Sequence, residues 1–335
     1  MSTGKTNGKK HLETLVLVKE EASRLRHTGI QAGAYVRSHA YSTDEDNKVY
    51  IENEDYIIDY EASTIRRTAH SRIPDWSNHP MYGITGFNHN DYPDYSNRLY
   101  TIYIDYEYTS EDEAPSVAGV PTQVNALQRL HRKLADKQPV RYVVFGDSIS
   151  TGGEASRESL AYYSRFASAL SEHYPESKIE VVNNSLGGEA TTTARNRVEQ
   201  DVIALQPDLV SIGYGMNDQC KMGPDIRNNV PPGTYEENIR DMVQRIQQQT
   251  DADIILVTPC LSNPLWVHSS GDLAIYSDIL LRLARELGTC VADVHELWLQ
   301  ELQAGKSHES LLLNNVNHPN DYGHGIYFRA FRHLI

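Results

Sequence analysis

The sequence predicts an α/β fold, a parallel sheet with helices on both faces, joined to a smaller N-terminal antiparallel β domain of sandwich or jelly-roll type. Three observations carry this. Beyond residue 116, short apolar runs alternate with helix-length amphipathic stretches, the spacing of βαβ units. Up to residue 108 the texture differs: twelve of the 21 tyrosines fall there, in segments such as Lys48 to Tyr60 and Arg98 to Tyr108, the second alternating as a half-buried strand does. Between the two, Thr109 to Pro121 (TSEDEAPSVAGVP) is acidic, then small and proline-containing, the composition of an interdomain linker with a boundary near residue 115.

Taken in order, residues 1–10 are rich in Gly, Lys and Thr and read as a disordered tail. Residues 11–115 form the β domain, its strands separated by turn-forming clusters at 42–47 and 77–97. Residues 116–335 form the α/β domain. An amphipathic helix is expected over 122–135. Strands follow at 140–145, 178–182, 208–213, 253–258 and 289–293. Helices are expected at 154–173, 189–204, 234–249, 272–287, 294–304 and 321–334. No internal repeat is visible.

Composition narrows the function. The chain has 335 residues with 45 acidic and 31 basic side chains, a formal charge of −14, which argues against nucleic acid or an anionic membrane as partner. No apolar run approaches the length of a membrane span and no secretion signal is visible, so cytoplasmic residence is the expectation. Three cysteines, Cys220, Cys260 and Cys290, are too few and too far apart for a disulfide framework or a metal site. No metal or cofactor is expected.

The chemistry gathers at predicted strand ends. Tyr142 to Phe145 is a buried-strand run that breaks at Gly146 and delivers Asp147 and Ser148 into a turn, where α/β sheets hold their ligands. Three more blocks follow: Asn183 to Thr193 (NNSLGGEATTT), Gly213 to Asp218 (GYGMND) and Asn314 to His324 (NNVNHPNDYGH). In this order they resemble the SGNH, or GDSL-type, serine hydrolases over roughly residues 138–335. That resemblance implies a three-layer α/β/α sandwich, with Ser148 as nucleophile and His318 as base. It also implies an oxyanion hole made by the backbone N–H groups of Ser148 and Gly188, with Gly187 one register away, and the Asn217 amide.

The roles are chemically coherent. A serine hydroxyl is a weak nucleophile at neutral pH and needs a base within reach; three convergent donors would stabilise a tetrahedral oxyanion. One residue departs from the family pattern. Where the family carries Asp three residues before the histidine, this chain has Asn315, which can orient an imidazole through its amide oxygen but cannot stabilise imidazolium by charge. The expectation is a Ser-His dyad oriented by Asn315 or a backbone carbonyl; a carboxylate from elsewhere or a weakened enzyme are the alternatives. Asp147, Asp218 and Asp293 read as caps and loop supports, and His324 as a residue packed in the final helix.

Trp266, in the loop after the strand at 253–258, is a candidate wall of the substrate pocket. Trp76 and the N-terminal tyrosines could stack on a sugar, although ordinary sheet packing accounts for them better. Two-domain members of the family that join a β sandwich to the hydrolase resemble carbohydrate esterases. The expected activity is therefore hydrolysis of short-chain, acetyl esters of a small molecule or oligosaccharide. A mean hydropathy of −0.53 does not favour a lipase. The alternatives are a non-catalytic carbohydrate-binding protein derived from an esterase and a lysophospholipase or thioesterase. The oligomeric state stays open.

Overall fold

The computed structural model describes residues 6–110, 127–223 and 225–335. The expected linker lies outside these residues from 111 onward. The chain divides into two compact units. The first comprises residues up to 119 together with Leu299–Gly323; the second comprises 120–298 and His324–Ile335. The segment 299–323, and with it the block around His318, thus groups with the N-terminal unit.

In the first unit, strands β1 (Thr6–Val16), β3 (Tyr35–Arg37), β4 (Val49–Tyr50) and β7 (Thr101–Ser110) form an antiparallel sheet in the order β1-β7-β3-β4. Strands β2 (Ser23–Arg24), β5 (Tyr56–Asp59) and β6 (Thr64–Arg67) form another, in the order β2-β6-β5. Leu15, Val36, Ile102 and Ile104 from one sheet and Tyr56, Ile58 and Ile65 from the other bury their side chains in one apolar cluster. Burial of alternate residues is what fixes the register of such short strands. The described residues give seven strands in two small sheets, not a jelly roll's eight. Residues 6–10, expected in a disordered tail, belong to β1, where pairing with β7 orders them. The Lys48 to Tyr60 segment contributes to both sheets, because the chain reverses at residues 51–55, where the Asp55 carboxylate accepts the Ile51 N–H at 2.8 Å.

In the second unit, β8 (Val140–Gly146), β9 (Ile179–Asn183), β10 (Leu209–Gly213), β11 (Asp253–Val257) and β12 (Cys290–Ala292) form a parallel sheet in the order β12-β11-β10-β8-β9. Period-two alternation sends its side chains to opposite faces. Val143, Phe145, Val210, Ile212 and Leu256 join one apolar cluster with α3 (Thr191–Asp201), α4 (Pro232–Gln249) and α5 (Leu273–Leu287). On the other face, Tyr142 meets Phe166 of α2 (Tyr162–His173) edge to face at 6.0 Å, and Phe166 meets Phe331 of α8 (Asp321–Arg332) at 5.0 Å. Helix α1 (Gln128–Ala135) buries Leu130 and Leu134. The remaining helices are α6 (Val294–Gln303) and α7 (His308–Leu311), the latter capped by the Ser307 hydroxyl. A parallel sheet with helices on both faces is the expected α/β architecture.

Two helices differ from expectation. Helix α2 starts at Tyr162 and not at 154, because Gly152 and Glu154 are left-handed and Arg157 is extended, which stops a helix from propagating. Helix α7 is too short to register as a period in the sequence.

Candidate functional site

Strand order reverses between β8 and β10, so the loops after these neighbouring strands flank the switch point where open α/β sheets bind ligands. Ser148 sits in the turn after β8, half-buried. Gly146 is required there. A Cβ on it would lie 2.6 Å from the Gly213 carbonyl oxygen, in the register pair that closes β8 and β10. The turn is closed by Asp147, whose carboxylate accepts the Ile149 N–H at 3.0 Å, and by Thr151, whose hydroxyl donates to the Ser148 carbonyl at 2.7 Å.

The second block is tied to the same strand end, with the Leu186 N–H donating to the Gly146 carbonyl at 2.9 Å. Gly187 lies beside the serine, since a Cβ built on it would stand 4.0 Å from the Ser148 Cβ. Gly188 adopts φ +75°, a conformation that costs any other residue strain. The third block follows β10. Its Asn217 amide donates to the Glu189 carbonyl at 3.0 Å, immediately after Gly188. Three of the four sequence blocks are thereby brought together within the second unit.

Buried polar groups hold these loops. The Asp218 carboxylate accepts the Thr191 N–H at 3.0 Å and the Thr191 hydroxyl at 2.5 Å, fixing the start of α3. Glu189 is gripped by Arg197, Nε to Oε1 at 2.8 Å, and by the Tyr214 hydroxyl at 2.7 Å, while the Arg197 guanidinium lies 4.4 Å over the Phe145 ring. Nothing in the sequence points to this Glu189–Arg197–Tyr214 cluster beyond the placement of Glu189 and Tyr214 next to Gly188 and Gly213. Burial pushes the Asp147 carboxyl up to about 7, with Asp218 and Glu189 adding to the rise. Burial likewise pushes Asp218 up to about 6, against the Thr191 hydrogen bonds that hold it down. Asp293 accepts from the Thr258 hydroxyl at 3.0 Å and the Glu296 N–H at 3.2 Å, which makes it a cap of α6.

Beside the serine turn, Thr151, Gly152, Glu158, Tyr163, Asn183 and Ser185 line an open polar cleft of about 450 Å³. Trp266 is buried in the loop after β11, edge-on to His268 at 5.4 Å. Trp76 is buried in the first unit and stacks on His79 at 3.9 Å, which is packing and leaves no open sugar platform at that ring. All three cysteines are buried free thiols, and no cluster of metal-ligating side chains occurs among the described residues. No helix of the described residues is long and apolar enough to cross a membrane.

His318 and Asn315 belong to the first unit. They lie on a loop that Leu312 and Pro319 close as a bridge, with the Leu313 N–H donating to the His318 carbonyl at 2.9 Å. The Asn314 side-chain oxygen accepts the N–H groups of Val316, Asn317 and His318 at 3.0, 2.9 and 2.8 Å. Asn315 is buried in a left-handed conformation, and its side-chain oxygen accepts from the Asn97 amide at 3.4 Å. His324 is buried in α8, its Nε2 at 3.1 Å from the Gly153 carbonyl.

Residues 144–326 match the GDSL-like lipase/acylhydrolase family. The chain belongs to this family. As a GDSL-like hydrolase it is a carboxylic-ester hydrolase, and the parallel sheet with its helices is the family's α/β fold. It is 28% identical over 208 residues to an acetylxylan esterase of Geobacillus stearothermophilus, a match covering 57% of this chain and 91% of that one. It is 25% identical over 188 residues to the isoamyl acetate-hydrolyzing esterase 1 homolog of Mus musculus, covering 51% of this chain and 72% of that one. The crystal structure of the Geobacillus acetylxylan esterase superposes with a TM-score of 0.50 at 27% identity, over 58% of this chain and 94% of that one.

Proposed function

We propose that this GDSL-like hydrolase removes acetyl and similarly short acyl groups from carbohydrate hydroxyls, with Ser148 as nucleophile and His318 as base. The observation that carries the reading is the placement of the Asn217 amide on the carbonyl that follows Gly188, with Gly187 alongside Ser148. An amide nitrogen has two hydrogens. One is spent on Glu189, which fixes the group's orientation, and the other serves the oxyanion together with the backbone N–H groups of Ser148 and Gly188.

In this mechanism the Ser148 hydroxyl oxygen attacks the ester carbonyl carbon while His318 takes its proton. The three donors stabilise the resulting oxyanion. The tetrahedral intermediate collapses, the alcohol leaves with the proton from His318, and water then cleaves the acyl-enzyme by the same steps to release acetate. The reaction needs no metal or cofactor. Asn315 orients His318. The polar cleft beside Thr151 takes the alcohol portion of the substrate and Trp266 forms a wall of the acyl pocket.

The names of the relatives support the acyl group more firmly than the alcohol. Acetylxylan and isoamyl acetate share only the acetyl. Solved variants of the Geobacillus esterase described as catalytic mutants change a serine and an aspartate; this chain carries Ser148 and, where the family pattern has aspartate, Asn315. The two small sheets of the first unit read as a sandwich-type accessory domain.

A panel of p-nitrophenyl esters of increasing chain length and acetylated xylo-oligosaccharides tests the reading. Turnover is expected to be highest for acetate, to fall with chain length, and to vanish in Ser148→Ala. Turnover that rises with chain length, or acetate release that survives in Ser148→Ala, overturns it.

A further inference from the structure

The loop that carries His318 is closed on itself by Asn314, but a self-closed loop can still swing as a body unless something fixes its ends. In the first unit one residue does this. Asn97 is fully buried, and its backbone N–H donates to the Leu313 carbonyl at 2.6 Å. Its side-chain amide donates to the carbonyls of Leu312 at 2.7 Å and Glu309 at 3.1 Å, and reaches the Asn315 side-chain oxygen at 3.4 Å. The Asn97 carbonyl in turn accepts the Tyr100 and Thr101 N–H groups, each at 2.9 Å, and the Thr101 hydroxyl at 2.9 Å. Asn97 therefore ties the loop to the start of β7, an interior strand of the first sheet.

The flanks of the loop are tied to β1 in the same way. The Thr14 hydroxyl donates to the Ser310 carbonyl at 2.6 Å and to the Asn320 side-chain oxygen at 3.3 Å, and the Val16 N–H donates to the Ser310 hydroxyl at 3.0 Å. Just before the loop, Lys306 pairs with Glu13 and donates to the Thr14 carbonyl at 3.1 Å, with both charged side chains buried. Every partner here lies more than 200 residues earlier in the chain than the segment it holds. A detachable binding module would not be expected to bury an ion pair and this many hydrogen bonds on the loop that holds a catalytic base, because each buried polar group left unmatched is costly.

We propose that Asn97 is a positioning residue for His318, and that the N-terminal unit is a working part of the esterase because it holds the base-bearing loop. This rests on the reading of His318 as the general base. Asn97→Ala withdraws the side-chain hydrogen bonds to Leu312 and Glu309 and the longer contact to Asn315 from the loop. Displacing a catalytic group by about 1 Å typically costs on the order of 10²-fold in rate, so the variant should lose kcat on that scale with little change in KM.

The test compares Asn97→Ala, His318→Ala and Ile65→Val in the full-length enzyme with p-nitrophenyl acetate, measuring kcat, KM, the pH profile of kcat/KM and the melting temperature. Ile65→Val trims the core of the same unit without touching the loop. It should lower the melting temperature and leave kcat and the pH profile as in the wild type. Asn97→Ala should lower kcat about 10²-fold and move the pH profile toward that of His318→Ala. Wild-type kcat in Asn97→Ala beside an inactive His318→Ala overturns the positioning role alone. Wild-type kcat in His318→Ala overturns the base reading on which it rests. Should Asn97→Ala fail to fold, Thr14→Val takes its place, with about a tenfold fall in kcat expected and an unchanged kcat overturning the proposal.

Discussion

The loops bearing Ser148 and Asn217 and the loop bearing His318 are held by different physics. The first two continue directly from neighbouring parallel strands, so sheet hydrogen bonding delivers them to the switch point, and buried groups such as Asp218 and Glu189 lock what the strands position. The His318 loop has no strand feeding it. It is closed on itself by Asn314 and tied to residues far earlier in the chain, Thr14 and Asn97. The proposed oxyanion donors are local to their sheet, and the anchorage of the proposed base depends on chain folded far away in sequence. Under the proposed roles, damage to the α/β unit should appear as lost oxyanion stabilisation, and damage to the β unit as lost proton transfer.

The largest expected effect that isolates the first region is that of Asn217→Ala. Removal of one oxyanion donor typically costs 10² to 10³-fold in kcat, about 3 to 4 kcal/mol, and KM for p-nitrophenyl acetate should stay within about a factor of two of the wild type. A loss confined to KM would break the assignment of Asn217 to the transition state.

A somewhat smaller effect, on stability, is expected from the second region. Lys306→Met leaves the Glu13 carboxylate buried without its cation, since both side chains are almost wholly inaccessible. Breaking such a pair from one side costs about 3 kcal/mol. Urea unfolding should show this loss, and the double variant with Glu13→Gln should recover most of it. A neutral single variant would mean that the ion pair does not anchor the segment preceding the His318 loop.

The smallest effect separates the two regions by pH. Burial raises the Asp147 carboxyl from 3.8 to about 7, so the folded state keeps a proton that the unfolded chain has already released. Its contribution to stability is full below the unfolded value and is lost as pH rises toward and through 7. Replacing it with asparagine retains the oxygen that accepts the Ile149 N–H. Asp147→Asn should therefore flatten the fall of melting temperature between pH 4 and 8, by roughly 5 °C at the alkaline end. A variant whose curve parallels the wild type would show that Asp147 is not the group responsible.

The same contrast explains what could be read from the sequence. Tyr142 to Phe145, Gly146 and Ser148 announce a strand, a bend and a candidate nucleophile within a few residues, and β10 with Asn217 announces a strand and a candidate oxyanion donor. Their signals are local, as the structure that positions them is. The His318 motif was legible as a motif, but its anchorage was not. Asn97 lies in a run of turn-forming residues, and nothing in a single sequence says that its amide will meet the carbonyls of residues 309 and 312. Residues 6–10 and the reversal at 51–55 escaped for the related reason that β pairing is decided by distant partners. The start of α2 is not legible in the sequence because the left-handed turn at Gly152 and Glu154 overrides local helix propensity.

Covalent labelling probes the proposed role of Ser148 as the acyl-accepting nucleophile without relying on any one substrate. Reaction of the native enzyme with a fluorophosphonate probe, followed by peptide mass mapping, should give a single adduct on Ser148 that is absent in Ser148→Ala and forms far more slowly in His318→Ala. An adduct on another residue, or labelling that persists in Ser148→Ala, would contradict it.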